Sequence, residues 1–339
     1  MSLRQWLESA WYSERAPLLL RPLSSLYGLL LALRSALYRS GILASGHPGI
    51  PVIIVGNLTV GGTGKTPLVQ WLAQQLGLQG WQVGIISRGH GGANARRRDA
   101  ARLVLPDDDA AEVGDEPLLL ARETRVPVAI GVRRVQAARL LAAQGCQVLV
   151  ADDGLQHLAL KRDIEIAVVD GKRPFGNGSL LPAGPLREPA SRLADVDAVV
   201  VHGDSIPVSN PGAVPAFHMR LDAEQLVGLV QGNVSEPKAW QGRRVHAVAG
   251  IGNPQRFFAT LRGLGMQPVE HVFPDHHRYR PADLAFGDAL EIVMTAKDAV
   301  KCATFATGGM WYLRVAVRFE RDDATRLLLW LGGRLARKS

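Results

Sequence analysis

Residues 51–78 read PVIIVGNLTVGGTGKTPLVQWLAQQLGL, and this stretch decides the fold. Pro51–Val55 is an apolar, β-branched run of the kind found in strands buried on both faces of a parallel sheet. Pro67–Leu78 carries its apolar residues at helical spacing. Between them, Thr59-Val60-Gly61-Gly62-Thr63-Gly64-Lys65-Thr66 matches the phosphate loop G-x-x-x-x-G-K-[ST], with Thr59 where the first glycine is usual. Glycines let successive backbone N–H groups approach phosphate oxygens, and the following helix adds its positive end. Lys65 is placed to reach the β- and γ-phosphates, and the Thr66 hydroxyl to bind Mg²⁺. The segment therefore predicts binding of Mg-ATP or Mg-GTP.

Outward from this loop the pattern repeats. Gly80 ends the helix, and Val83–Ser87, Val126–Ile130, Val148–Ala151, Ile164–Val169 and Ala198–Val201 read as further strands. Apolar strands alternating with helices predict a mostly parallel sheet with right-handed crossovers. Ser205–Pro215 (SIPVSNPGAVP) has linker composition. A second α/β rhythm starts at Val245–Ala249, followed by Gly250-Ile-Gly252 and a helix through Leu261; that glycine pair needs no more than a tight turn. Phe217–Leu221 and Trp311–Phe319 are expected to pair as a connection between two domains, with the last helix returning to the first. The expected organisation is a helical segment over 1–47, a phosphate-loop domain over 48–210, a smaller α/β domain over 211–310, and a returning strand and helix over 311–339.

Composition narrows the function. With 47% hydrophobic residues in 339, the chain is too apolar for disorder and long enough for two cores. Cys146 and Cys302 cannot form a disulfide framework and read as packed thiols. Of the net +8, five Arg against two Glu put +3 in residues 1–47, and seven Lys/Arg against three acids put +4 in 311–339. A nearly neutral body with 6% aromatics is unlike a nucleic-acid binder, whereas basic ends suit an anionic membrane surface. No protein partner is implied. Residues 18–37 are apolar, but Arg21, Pro22 and Arg34 interrupt them, so no run of ~18 uncharged residues exists to span a bilayer. From Ser24 onward, Leu26, Leu29, Leu30, Leu33 and Leu37 recur at helical spacing. Such a helix either lies in a membrane interface or packs on the protein's own core.

Several acids and histidines carry further chemistry. Val148-Leu-Val-Ala-Asp152-Asp153 is an apolar strand ending in two carboxylates, which a metal or its waters would balance beside the phosphate loop. Asp115, in Val113-Gly-Asp-Glu-Pro117, reads on its own as a helix N-cap. His276 and His277, in Phe273–Tyr279, are surface residues, metal ligands or acid/base groups; two neighbours without a third ligand make a poor zinc site.

Taken together, GNLTVGGTGKTP (56–67), SRGHGG (87–92), VGDEP (113–117), ADDGLQH (151–157), RPFGNGSLLPAGPLREP (173–189), FPDHHRY (273–279) and TAKDAVKC (295–302) resemble the tetraacyldisaccharide 4′-kinases of lipid A synthesis. The resemblance runs from roughly residue 10 to the last strand. The sequence departs from the family's habit at His90, Leu155 and Ala296, none a predicted catalytic group. The resemblance implies a two-domain α/β enzyme at the cytoplasmic face of the inner membrane. Its reaction is transfer of the ATP γ-phosphoryl group to the 4′-hydroxyl of a tetraacylated glucosamine disaccharide 1-phosphate, giving lipid IVA. It implies Lys65 and Thr66 on phosphate and Mg²⁺, Asp152 and Asp153 at the metal, and Asp115 as proton acceptor oriented by His276 or His277. Arg187, and Arg133 or Arg134, are candidates for the acceptor's 1-phosphate. The competing reading is a membrane-associated phosphate-loop switch ATPase without a lipid acceptor.

Overall fold

A computed structural model describes residues 3–13, 15–93, 101–203 and 214–337. The linker read at Ser205–Pro215 lies outside the described residues except for its last two.

The apolar run of the phosphate-loop unit forms β1 (Val52–Gly56), buried along its whole length. It lies between β5 (Val148–Asp152) and β6 (Ile164–Asp170), parallel to both, with Ile53 opposite Val150 and Ile164. Helix α3 (Lys65–Leu78) follows the loop and buries Leu68, Val69, Leu72, Ala73 and Leu76 against the sheet, the i, i+3/i+4 stripe expected of a core helix. It begins two residues earlier than the sequence suggested. Left-handed Gly64 (φ +96°) supplies the turn, so Lys65 and Thr66 occupy the first helical turn and Pro67 follows them.

The sheet widens through β2 (Val83–Ser87), β4 (Val128–Ile130) and the antiparallel edge strand β3 (Arg102–Val104) on one side. On the other side it continues through β7 (Ala198–His202) into β8 (Ala216–Gly228). The expected pairing of the two late strands is present: β13 (Met310–Phe319) runs antiparallel to β8, with Val317 opposite Leu221. This pair carries the sheet without a break into β12 (Ile292–Thr295), β10 (Arg244–Ala249) and β11 (Gln267–Val272). Among the described residues the two α/β rhythms thus share one 13-stranded sheet, of which β9 (Val234–Ser235) is a short strand paired to β8.

Two large apolar clusters cover opposite faces of the first half; one is packed by α3, α5 (Asp115–Thr124) and α9 (Asp323–Leu335), the other by α6 (Arg134–Ala143). Smaller clusters sit under α7 (Pro254–Gly263) and α8 (Ala296–Cys302) in the second half. Cys146 and Cys302 are buried and unpaired, as packed thiols should be.

The amino-terminal helices behave differently. Helix α2 (Arg21–Arg39) buries only Ser24, whose hydroxyl donates to Leu180 O, while Tyr27 donates to Arg187 O. Four of the five leucines in the stripe face outward, Leu26 being 53% exposed, Leu29 66%, Leu30 55% and Leu33 55%, while Leu37 is half-buried. Those four are therefore not packed on the protein's own core. Among the described residues no helix is long and apolar enough to cross a membrane.

Candidate active site

The carboxy-terminal ends of β1, β2 and β5 open into a cleft of about 2030 Å³, where α/β sheets commonly bind ligands. Its walls include the whole of Thr59–Thr66, the carboxylates Asp152 and Asp153, and, from the second half, Arg256, Asp275, His276 and Lys297.

The phosphate loop is braced by Asn57, which the sequence did not single out, and by Asp153, which it did. Lys65 Nζ donates to Asn57 Oδ1 at 2.8 Å and lies 3.5 Å from Asp153 Oδ1. Asp153 holds a left-handed backbone (φ +50°), a strained conformation for a residue other than glycine, stabilised here by contacts on both sides. Its carboxylate accepts two bonds from Arg187, at 2.8 and 3.1 Å, and its carbonyl accepts one from buried Arg134 at 2.9 Å. Burial works against the Asp153 charge, but Lys65 and Arg187 outweigh it and hold the carboxyl far below its ordinary range.

Asp152 is the opposite case. Thr66 Oγ1 donates to its Oδ2 at 3.3 Å, while its buried Oδ1 has no hydrogen-bond partner. Burial, with Glu116 nearby, pushes this carboxyl up to about 7. A hydroxyl and an under-compensated carboxylate beside a phosphate loop fit a hard divalent cation such as Mg²⁺. Asp153, already neutralised by two cations, fits that role less well than the motif implied.

Asp115 is not an N-cap. Gly114 (φ +94°, ψ 150°) takes that position, Asp115 opens α5, and its carboxylate turns to His276. His276 Nδ1 lies 2.9 Å from Asp115 Oδ2, joining residues 161 apart in sequence. Burial would raise the Asp115 carboxyl, but the hydrogen bond and charge of His276, with the Lys301 cation, bring it below its ordinary value. The same hydrogen bond raises His276 against the effect of burial. His276 is held at φ +60°, a second strained residue on the cleft wall. His277 points elsewhere: its Nε2 lies 3.2 Å from Asp283 Oδ2, and it does not line the cleft. The geometry thus separates two histidines that sequence left equivalent.

Beside Asp115, Glu116 pairs with Lys297 of α8, again across the two halves. Burial opposes the Glu116 charge, yet Lys297 holds the carboxyl below its usual range. Sequence offered a signal for this lysine: Lys297 and Lys301 are four apart in TAKDAVKC, on one helical face.

The basic candidates divide. Arg187 is engaged by Asp153 and by Gln156 Oε1 at 3.3 Å. Arg133 is exposed at the start of α6 and outside the cleft lining. Arg34 and Arg88 line the cleft, next to His157, which burial and the surrounding arginines push down to about 3.

The sequence model of the family described as Tetraacyldisaccharide-1-P 4′-kinase matches residues 16–331. The chain is 52% identical over 308 residues to the tetraacyldisaccharide 4′-kinase of Alkalilimnicola ehrlichii, covering 91% of this chain and 90% of that one. It is 47% identical over 336 residues to the tetraacyldisaccharide 4′-kinase of Methylobacillus flagellatus, covering 96% of each. Among solved structures it is similar to the "apo" form of LpxK from Aquifex aeolicus in complex with ATP. That likeness has a TM-score of 0.77 and 31% identity, and covers 92% of this chain and 97% of the other.

Proposed function

The chain belongs to the tetraacyldisaccharide-1-phosphate 4′-kinase family, and from that premise we propose how its cleft performs the family's reaction. The protein transfers the γ-phosphoryl group of ATP to the 4′-hydroxyl of tetraacyldisaccharide 1-phosphate. The 4′-oxygen forms a bond to Pγ, the bond from Pγ to the bridging oxygen breaks, ADP leaves, and the hydroxyl proton passes to the Asp115 carboxylate.

The observation that carries this reading is the Asp115–His276 contact at 2.9 Å beside the phosphate-loop cleft. His276 fixes the carboxylate and, as an imidazolium, stabilises its charge. A weak base suffices, because phosphoryl transfer is mostly positioning and charge neutralisation. Lys65 releases Asn57 and Asp153 in favour of the β- and γ-phosphates, while backbone N–H groups of residues 61–66 cradle them. Thr66 and Asp152 would hold the Mg²⁺, which would supply charge neutralisation on the phosphate oxygens. Asp153 keeps Arg187 in place. Because His276 comes from the second half of the sheet and the phosphate loop from the first, approach of the two halves excludes water as a competing acceptor.

The acceptor brings acyl chains and a phosphate. The outward leucines of α2, with Arg21, Arg34 and Arg39 among them, suit the interface of an anionic membrane on its cytoplasmic side. Arg34 and Arg88 beside His157 make a cationic wall for the 1-phosphate, a better fit than Arg187 or Arg133.

Incubation with ATP, Mg²⁺ and a defined acceptor, followed by mass spectrometry, is expected to give the acceptor bearing one added phosphate at the 4′ position. ATP-driven release from vesicles with no phosphorylated acceptor would instead establish a switch ATPase.

A further inference from the structure

The motif TAKDAVKC (295–302) contributes Lys297 to the site as the partner of Glu116, yet its most enclosed charges lie deeper. Asp298 of α8 is fully buried. Its Oδ2 accepts from Gly250 N–H at 3.0 Å and Thr295 Oγ1 at 2.6 Å, and its Oδ1 accepts from Tyr279 OH at 3.1 Å. Lys301, with only 7% of its side chain exposed, places Nζ 2.7 Å from Asp298 Oδ1 and 3.9 Å from Asp115 Oδ2. The ammonium also sits over the Tyr279 ring, 5.1 Å from its centre.

A purely structural ion pair does not account for this arrangement. Asp298 already receives three neutral donors, so it can be satisfied without a lysine. An ammonium has three N–H donors, more than the one Asp298 contact engages, and an apolar side chain would fill the space more cheaply. The second carboxylate within reach of Nζ is Asp115. We propose that Lys301 is a positioning residue for the transfer step: a buried cation, anchored by Asp298 and Tyr279, that keeps the Asp115 carboxylate ionised and oriented. His276 and Lys301 both belong to the second half, so its approach brings the orienting group and the charge together. The inference rests on Asp115 being the proton acceptor.

Asp115 faces a defined set of charges. His276 comes from the loop after β11, with Asp275 3.9 Å from its Nε2 and the His90 ring edge-on at 5.3 Å. Helix α8 supplies Lys301 and Asp298, and also Lys297, which is paired with Glu116 on Asp115's own helix. Removing one buried cation from this set raises the proton affinity of both Asp115 and His276. Removing its counter-charge lowers both.

The test is the pH dependence of kcat/KM for the acceptor at saturating Mg-ATP. Lys301→Met is expected to move both limbs to higher pH, the acid limb by about one unit. Asp298→Asn, which leaves the cation unopposed, is expected to move both limbs the other way, and Lys301→Arg to restore the wild-type positions. ATP affinity stays unchanged in all three. Opposite displacements cannot arise from a general loss of folding. A lower rate with limbs unmoved in Lys301→Met overturns the proposal, and should that variant not fold, unmoved limbs in Asp298→Asn do the same. Full activity in Asp115→Asn would refute the proton-acceptor reading itself; inactivity there with unmoved limbs in the Lys301 and Asp298 variants refutes this inference alone.

Discussion

The two acidic corners of the cleft are built on different plans. Asp153 is satisfied within the first half, by Lys65, Arg187 and Arg134. Asp115, although it stands on a first-half helix, finds its counter-charges in residues more than 160 positions later, His276 and Lys301. One corner is complete within the first half, and the other draws on both halves. Nucleotide binding should therefore depend on the first corner alone, and phosphoryl transfer on both.

Lys65→Ala strikes the self-contained corner and has the largest expected effect. It removes the phosphate contact and leaves Asp153 with Arg187, so kcat should fall about 10²–10³-fold and ATP affinity should fall with it. Kinetics paired with ATP titration checks this, and unchanged ATP affinity would erase the distinction between the corners.

His276→Gln strikes the assembled corner. It should lower kcat about 10²-fold with ATP affinity intact. The pH profile sharpens the point. Asp115 lies below its ordinary 3.8 and His276 above its ordinary 6.5, so the carboxylate–imidazolium pair exists between those two folded-state values. Its contribution is lost as pH falls through the first or rises through the second. The glutamine variant should lose the alkaline limb and keep the acid one.

The leucine-rich helices extend the contrast to stability. Leu72 on α3 is fully buried, and Leu72→Ala should cost about 2–5 kcal/mol in denaturant unfolding. Leu29→Ser with Leu30→Ser on α2, where both side chains are more than half exposed, should change stability within about 0.5 kcal/mol per site while weakening binding to anionic vesicles. A large stability loss in the α2 variant would mean that its apolar face packs on protein.

What sequence could disclose follows the same division. The phosphate loop, its strand and its helix were legible because their chemistry is local: backbone amides, a left-handed glycine and an apolar stripe within one segment. Only the helix start was misplaced, by the turn at Gly64. Asp152 and Asp153 were legible as a pair, but not their opposite fates, because Arg187 and Arg134 are distant in sequence. His276 could not be told from His277, since the choice depends on a helix 161 residues away. The Arg187–Asp153 pair is not legible either, because the motif around Arg187 gives no sign of a partner 34 residues earlier. The continuity of the sheet was hidden in β8, where Arg220, Asp222 and Glu224 break the apolar pattern on a half-exposed strand. The direction faced by the α2 leucines is a matter of packing, which periodicity alone leaves open.

The claim that transfer, but not nucleotide binding, requires the assembled corner is tested most directly with Asp115→Asn. ATP binding by calorimetry and acceptor phosphorylation by mass spectrometry are measured on the same preparation. Wild-type ATP affinity is expected, with product formation reduced about 10²–10⁴-fold. Wild-type turnover, or a loss of ATP binding as large as the loss of turnover, would contradict it.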